Sequence, residues 1–403
     1  MTHSPETAGP AEPDRYARLR LIPWWSQEVL RNATVAVVGV GAVGNEVVKN
    51  LALMGVGRLI LLDRDTIELT NLTRSVLFRR EDVGQPKTEV AARRARELDP
   101  SVETISLTGD LADLGVAALA GADVIIGCVD SLYGRILLNR YAAWLGVPWI
   151  NGGLGDATDV FKGIIAVFHP PEGPCFECGL RPGQAEQELT ARLSRGGCGE
   201  TERQAQEARS VPSTPTMASI IGAMQVQEAL KILHAGLRPD DPDQVWPEPA
   251  LGAFVAYETC DHTVNRFQRK VRPDCPNHVP GRLREVEGFD RHRPLRELWA
   301  IADLLTETWI GLARGTWVEP WTCEACDHAT TAWHWSEGHE VVCPACGHSP
   351  RPPGSSWAVG PDHPVTAFSL ADLGVPGGLP LRQLTDPEIT LWWPTIAREA
   401  AHG

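Results

Sequence analysis

The chain has 403 residues, 43% of them hydrophobic, with a formal net charge of −14 and a pI near 5.4. That is enough apolar material for one large domain and a smaller one, while the acidic balance argues against a broad nucleic-acid footprint. No apolar run reaches the ~20 residues that span a membrane, and the polar N-terminal stretch MTHSPETAGPAEPDR lacks the apolar core of a signal peptide, so the expected compartment is the cytoplasm.

Residues 1–13 are expected to be disordered. Tyr16–Leu30 mixes Arg15, Arg18 and Arg20 with Leu19, Leu21, Ile22 and Trp24 and reads as a packing arm or short helix at a dimer interface. Val35–Val38 is a β-branched run, the pattern of a buried parallel strand. Gly39, Gly41 and Gly44 follow in G-x-G-x-x-G spacing. The first allows a tight turn, the second lets backbone approach a phosphate, and the third lets the next helix pack close to the strand. A helix over Ala42–Met54 would aim its N-terminal N–H groups at an anion. A second strand, Leu59–Leu62, ends in Asp63, whose carboxylate suits ribose hydroxyls. This unit predicts a nucleotide with its phosphates at the helix end and leaves NAD and ATP both open.

Asn71–Arg80 is a polar, basic loop, and Gln85–Leu98 reads as an amphipathic helix. Strands are expected over Val102–Leu107 and Ala122–Cys128, with Asp130 just past the second. A helix over Tyr133–Leu145 follows, and Pro148–Asn151 begins another strand. The β–α repetition predicts an α/β fold with a doubly wound, mostly parallel sheet. Ile164–Phe168 is a further strand leading into Cys175 and Cys178. A long polar loop over 180–215 carries Cys198 among Gly196, Gly197 and Gly199. Helical spacing returns over Met217–Leu233, and strands are expected over Leu251–Tyr257 and Thr263–Lys270. The expected division is a nucleotide domain over 14–285, a helical connector over 286–315 (Leu295–Trp309 has helical spacing), a cysteine-rich unit over 316–352, and a tail over 353–403 that begins in a Pro-Gly-Ser linker.

Seven of the ten cysteines, with His278, fall into four short pairs: Cys175/Cys178, Cys275/His278, Cys323/Cys326 and Cys343/Cys346. Close pairing in a cytosolic chain points to metal rather than disulfides. Cys323-x-x-Cys326 and Cys343-x-x-Cys346, separated by 16 residues, have zinc-ribbon spacing. Four thiolates leave no open coordination position, so this ribbon is expected to be structural, with Trp317, Trp321, Trp333 and Trp335 as its core or as a recognition surface. Cys128 lies in an apolar strand and reads as core, and Cys260 as structural.

Asp63, Asp65, Asn71, Arg74, Lys87 and Asp130 all fall where a doubly wound sheet places its ligand, beyond the strand C-termini. A dinucleotide has no evident need for Arg74 and Lys87 as well; a triphosphate does, with a carboxylate such as Asp130 for Mg²⁺. The bland alternative makes Arg74 and Lys87 solvated surface charges and Asp130 a helix cap.

RYARLRLIPWW, VAVVGVGAVGNEV, LLDRDTIELTNLTR, VGQPK and GCVDS occur in an order and spacing that resemble the ThiF–MoeB/ubiquitin-activating-enzyme family, and PTMASIIGAMQVQEALKIL is similar to that family's helix after the crossover loop. The resemblance runs from Tyr16 to His278. It implies ATP-dependent adenylation of the C-terminal glycine of a small ubiquitin-like or sulfur-carrier protein ending in Gly-Gly, by a homodimer. It also implies roles: Gly41 at the phosphates, Asp63 at the ribose, Asn71, Arg74 and Lys87 on the phosphates, Asp130 on Mg²⁺, and Arg18 reaching into the neighbouring subunit's site. Ser75 stands where the family often has Gln. Cys175, Cys178, Cys275 and His278 resemble the family's structural zinc site with one Cys replaced by His. Cys198 lies where thioester- or acyl-disulfide-forming members carry their cysteine; Arg192 and Arg195 would favour its thiolate, and the alternative is an inert loop cysteine. A conjugating enzyme downstream would follow from the first case. The same fold also adenylates peptides and tRNA, and from a different class an NAD-dependent oxidoreductase or a non-catalytic adaptor stays open.

Overall fold

The computed structural model describes residues 14–155, 158–170, 172–185, 187–188, 213–237, 246–278 and, with short internal gaps, 282–392. Its framework is one eight-stranded sheet in the order β3-β2-β1-β4-β5-β6-β7-β8. The strands are β1 (Thr34–Val38), β2 (Arg58–Asp63), β3 (Glu103–Thr108), β4 (Val124–Gly127), β5 (Trp149–Leu154), β6 (Lys162–Phe168), β7 (Ala253–Glu258) and β8 (Thr263–Gln268). The first five run parallel. β5 to β8 are joined antiparallel.

The parallel strands are apolar along their length because both faces are covered. Val35 and Val37 of β1 point into one layer with helices α1 (Gln27–Asn32), α2 (Ala42–Leu53), α3 (Lys87–Leu98) and, later in the chain, Pro215–His234. Ala36 and Val38 point to the other layer, built on α4 (Leu111–Leu114) and α5 (Leu132–Leu145). Pro215–His234, here α6, is started by Thr214, whose hydroxyl accepts the Met217 N–H at 3.2 Å, with proline in the first turn where its missing N–H is harmless. The chain runs outward through β2 and β3, then crosses back to place β4 on the other side of β1. The gap beyond the ends of β1 and β4 is the point where winding reverses.

Residues after 281 build smaller sheets around their own core of Leu295, Leu298, Trp299, Ile310, Trp317, Val365 and Leu381. Five further strands, β9 (Arg282–Glu285), β10 (Ile310–Leu312), β11 (Ala358–Val359), β12 (Leu381–Gln383) and β13 (Ile389–Trp392), pair in the order β11-β10-β12-β13-β9, so β10, from the segment expected as a connector, lies between two strands of the tail. The helical spacing over Leu295–Trp309 contracts to one short helix, α7 (Glu297–Ile301), since the chain turns at Asp303 with a left-handed φ of 51°. Trp317 is fully buried in this core rather than in the metal ribbon, whereas Trp321 packs with Cys323 and Cys343. Among the described residues no helix is long and apolar enough to cross a membrane.

Candidate active site and metal centres

The three glycines differ in what surrounds them. Gly39 has φ +90°, and a side chain there would meet the Cys128 carbonyl oxygen at 2.6 Å; a Cβ on Gly44 would sit 2.0 Å from the Gly39 carbonyl oxygen. Both are glycines because the protein's own backbone fills their space. Gly41, the N-cap of α2, has φ −78° and nothing within 4 Å of a Cβ position. The N-terminal N–H groups of α2 lack intrahelical partners, and the cradle in front of them is open.

Asp63 closes one side of this cradle. Its Oδ2 accepts the Val40 N–H at 2.6 Å and its Oδ1 the Asp65 N–H at 2.9 Å, tying the end of β2 to the glycine turn. Each oxygen keeps a lone pair for a further donor. Burial pushes its carboxyl above the ordinary range, while the Lys87 charge and the two N–H bonds pull the other way. Lys87, the first residue of α3, is only 9% exposed, and its Nζ lies 2.8 Å from Asp65 Oδ2. The reading of Lys87 as a solvated surface charge is therefore wrong. Asn71 lies in a short 3-10 turn, Leu69–Thr73, and Arg74 is the residue that caps its C-terminal end. Asn71 Oδ1 accepts the Glu68 N–H at 3.0 Å, and Arg74 Nη1 donates to the Thr70 carbonyl at 3.0 Å. Among the described residues Arg74 has no acidic partner.

Asp130 lies exposed just beyond β4. It is not the cap of α5: Ser131 is, accepting the Gly134 N–H at 3.1 Å. Arg18 is exposed in the N-terminal arm. That arm is fastened by Tyr16, whose hydroxyl donates to Asp99 at the end of α3, and by Arg15, 3.4 Å from the same carboxylate. Cys198, Arg192 and Arg195 lie outside the described residues.

Several contributors escape sequence reading. Asn45 in the first turn of α2 is fully buried; its amide donates to the Val40 and Gly41 carbonyls at 2.8 and 3.0 Å and its Oδ1 accepts the Leu77 N–H at 3.0 Å. It fixes the glycine turn to the loop that carries Arg74. Gln225 of α6, also fully buried, donates to the carbonyls of Gly127 and Ile150 at 3.0 and 3.2 Å, bracing the ends of β4 and β5. Cys128 contacts Gln225 Oε1 at 3.5 Å, and burial pushes its thiol well above the usual range, as suits an inert core cysteine. A polar residue on an apolar helix face was the available signal for Asn45 and Gln225.

Two groups of four donors stand with all ligand atoms within 4.8 Å of one another: Cys175, Cys178, Cys275 and His278, and Cys323, Cys326, Cys343 and Cys346. In the first, Cys175 Sγ is 3.5 Å from Cys275 Sγ and 3.7 Å from Cys178 Sγ, with His278 Nε2 at 3.0 Å from Cys178 Sγ. In the second, Cys323–Cys346 and Cys326–Cys343 are 3.7 and 3.6 Å apart. The backbone wraps each ribbon pair alike. Cys323 N–H reaches the His328 carbonyl and Cys343 N–H the His348 carbonyl, and the turns are closed by left-handed Asp327 (φ 54°) and Gly347 (φ 72°). Cys260 is exposed on the turn between β7 and β8, apart from either group.

A doubly wound α/β sheet with an open helix N-terminus at its switch point, and a buried lysine beside two aspartates, is the arrangement of the nucleotide-binding class of α/β proteins. Comparison with known proteins identifies the group: the ThiF family model matches residues 14–277, and the chain belongs to that family. It is 30% identical over 277 residues to the sulfur carrier protein adenylyltransferase of Thermus thermophilus, covering 66% of this chain and 90% of that protein. It is 30% identical over 292 residues to the SAMP-activating enzyme E1 of Haloferax volcanii, covering 69% and 93%. Among solved structures, that of E. coli MccB with AMPCPP and MccA matches with a TM-score of 0.52 at 26% identity, over 66% of this chain and 74% of that one.

Proposed function

We propose that the chain uses ATP to adenylate the C-terminal glycine carboxylate of a small ubiquitin-like or sulfur-carrier protein ending in Gly-Gly. The observation that carries this reading is the Lys87 ammonium, buried beside Asp65 and Asp63 at the same edge as the open N-terminus of α2. The triphosphate lies across the α2 N–H groups, with Gly41 giving the room, Asp63 taking the ribose, and Asn71, Arg74 and Lys87 meeting the phosphates. A carboxylate oxygen of the acyl substrate attacks the α-phosphorus in line. The bond to the bridging oxygen breaks, pyrophosphate leaves with that electron pair, and an acyl adenylate remains. No protein group becomes covalent in this step; Lys87 and Arg74 offset charge that builds on the phosphoryl oxygens. Mg²⁺, bound with Asp130, would neutralise phosphate charge.

Arg18 on its exposed arm is available to complete a second subunit's site, so the working form is a homodimer. Zinc is the metal for both cysteine centres. Tetrahedral thiolates at ~2.3 Å from zinc stand about 3.8 Å apart, close to the 3.5–3.7 Å separations of the sulfurs. The first centre would tie the segment after β6 to the end of the nucleotide domain and the second would hold the ribbon. Free thiols in this number suit the reducing cytoplasm. Cys198 stays a candidate for a covalent acyl step after adenylation, feeding a conjugating enzyme or a sulfur donor.

The test is exchange of labelled pyrophosphate into ATP in the presence of a small β-grasp protein ending in Gly-Gly. Exchange that depends on that terminus supports the reading. Tight NAD(H) binding without ATP affinity would replace it with an oxidoreductase.

A further inference from the structure

The two cysteine centres share a donor geometry and differ in what surrounds it. In the first, Cys175 and Cys275 are buried and Cys178 and His278 half-buried; in the ribbon, Cys323 and Cys343 are buried but Cys326 and Cys346 are exposed. A competing ligand meets two open sulfurs in the ribbon and none in the first centre.

The turn of the first centre is held from outside. Both backbone groups of Phe176 are taken by distant side chains: its N–H donates to Asn139 Oδ1 at 2.9 Å, and its carbonyl accepts from Arg269 Nη1 at 2.9 Å. Arg272 Nη1 donates to the carbonyls of Glu177 and Leu180 at 3.2 and 2.7 Å, and the Arg272 backbone N–H donates to Cys178 Sγ at 3.4 Å. The Glu177 carboxylate, 1% exposed, meets Arg140 Nε and Nη2 at 3.0 Å each. A sulfur of this turn cannot swing off a metal without disturbing several sheltered bonds together. The ribbon's turns are held by their own backbone, Cys323 N–H to the His328 carbonyl and Cys343 N–H to the His348 carbonyl. Among the described residues no side chain from another element donates to either ribbon turn.

Charge runs the same way. Four thiolates on zinc leave two negative charges in excess, whereas three thiolates and a neutral imidazole leave one. Arg269 and Arg272 stand beside the first centre. Residues 316–350, which hold the ribbon, contain no Lys or Arg and carry Glu319, Glu324, Asp327, Glu337 and Glu340. The centre with the larger negative excess thus lies in a stretch that supplies no cation.

We propose that the ribbon is an exchangeable zinc site, which yields its metal to a competing nitrogen or thiolate ligand while the first centre keeps its own, and that Asn139, Arg269 and Arg272 are the positioning residues that make the difference. In the exchange an incoming donor bonds to zinc as a ribbon thiolate leaves, and the freed sulfur takes a proton from solvent; nothing is oxidised or reduced. Structural zinc binding is coupled to folding, so the ribbon's surface follows zinc supply and the nucleotide half does not. The inference rests on zinc as the metal and not on adenylation, so a failure of pyrophosphate exchange leaves it standing.

The experiment uses the full chain, reconstituted with zinc under reducing conditions until both centres are filled, then mixed with excess pyridylazoresorcinol, a chelator whose colour reports released zinc. The wild type should release one equivalent in a fast phase and one in a slow phase, at rates at least about tenfold apart, the lower end of what the partners of metal ligands contribute to a site. Cys343→Ser should lack the fast phase and keep the slow one. Arg269→Gln and Arg272→Gln should each speed the slow phase about ten- to hundredfold and leave the fast phase alone. AMPCPP affinity, measured by titration once the fast equivalent is gone, should stay within about twofold of its starting value. A chain that takes up only one zinc, a single release phase, a fast phase that survives Cys343→Ser, or a slow phase that neither arginine variant moves would overturn the inference. Arginine variants that speed both phases alike would also overturn it, since that marks unfolding of the whole chain rather than release of one centre.

Discussion

Gly41 separates a role in folding from a role in binding. Its φ of −78° suits any residue and a Cβ there meets nothing, so Gly41→Ala should fold with a melting temperature near wild type and still lose most of its ATP affinity. Calorimetry against ATP titration checks both halves. Gly39→Ala, at φ +90° and with a Cβ 2.6 Å from a carbonyl oxygen, should instead cost several kcal/mol of stability, about 1–3 from the backbone alone. Lys87→Ala should lower pyrophosphate exchange by at least about a hundredfold, the scale of losing one preorganised charge in a sheltered site. The glycines, Asp63 and Lys87 were legible in sequence because their spacing along the chain is the spacing that the turn imposes. Asn45 and Gln225 were not, since the partners that give them their bracing roles, the Leu77 N–H for one and the carbonyls of Gly127 and Ile150 for the other, come from distant parts of the chain.

Elements were legible to the extent that they are local. β1, β2, β4 and β6 follow short apolar runs bounded by turn residues, and the structure moves their ends by a residue or two, whereas β8, Thr263–Gln268, is exposed along its length. The reading of Leu295–Trp309 as one helix failed because periodic apolar residues can also line a turn and a strand, and Asp303 breaks the run. The N-terminal arm shows what a sequence run of Arg, Leu and Trp does not declare: its anchor is a buried carboxylate on α3. Burial alone would raise the Asp99 pKa, but hydrogen bonds from Tyr16 and Ser101 outweigh it and hold the carboxyl below its ordinary value of 3.8. The ionised form therefore favours the docked arm. This stabilisation is complete above the unfolded value and is lost as pH falls through the lower folded one. Asp99→Asn should reduce stability at neutral pH and flatten its dependence on pH below about 4, as read by urea unfolding at a series of pH values. Tyr16→Phe should cost about 1–3 kcal/mol in the same assay. On the other side of the arm, Trp24 and Trp25 flank His234, whose Nε2 accepts the Ser26 N–H at 3.1 Å, so the arm bridges α3 and α6. In the ribbon, metal analysis should find two zinc ions per chain and one after Cys343→Ser, with pyrophosphate exchange retained because that centre lies outside the nucleotide half of the molecule.

At the scale of the whole molecule, the nucleotide half is organised around one sheet whose switch point lies between β1 and β4. Asp63 and Lys87 stand at the β2 side of the switch point, and Arg18 lies exposed on the anchored N-terminal arm. If Arg18 serves the partner's site, Arg18→Ala and Lys87→Ala are each inactive as homodimers. Subunits exchanged between the two should recover activity, since one of the two mixed sites then contains both intact residues. Adenylation can be read directly as transfer of label from ATP carrying it at the α-phosphate to a small β-grasp protein ending in Gly-Gly. The account predicts labelled acyl adenylate with the wild type and none with Lys87→Ala or with a carrier lacking its last glycine. Label that reaches the carrier equally well with Lys87→Ala, or ATP that binds without ever transferring its α-phosphate to any carboxylate, would contradict it.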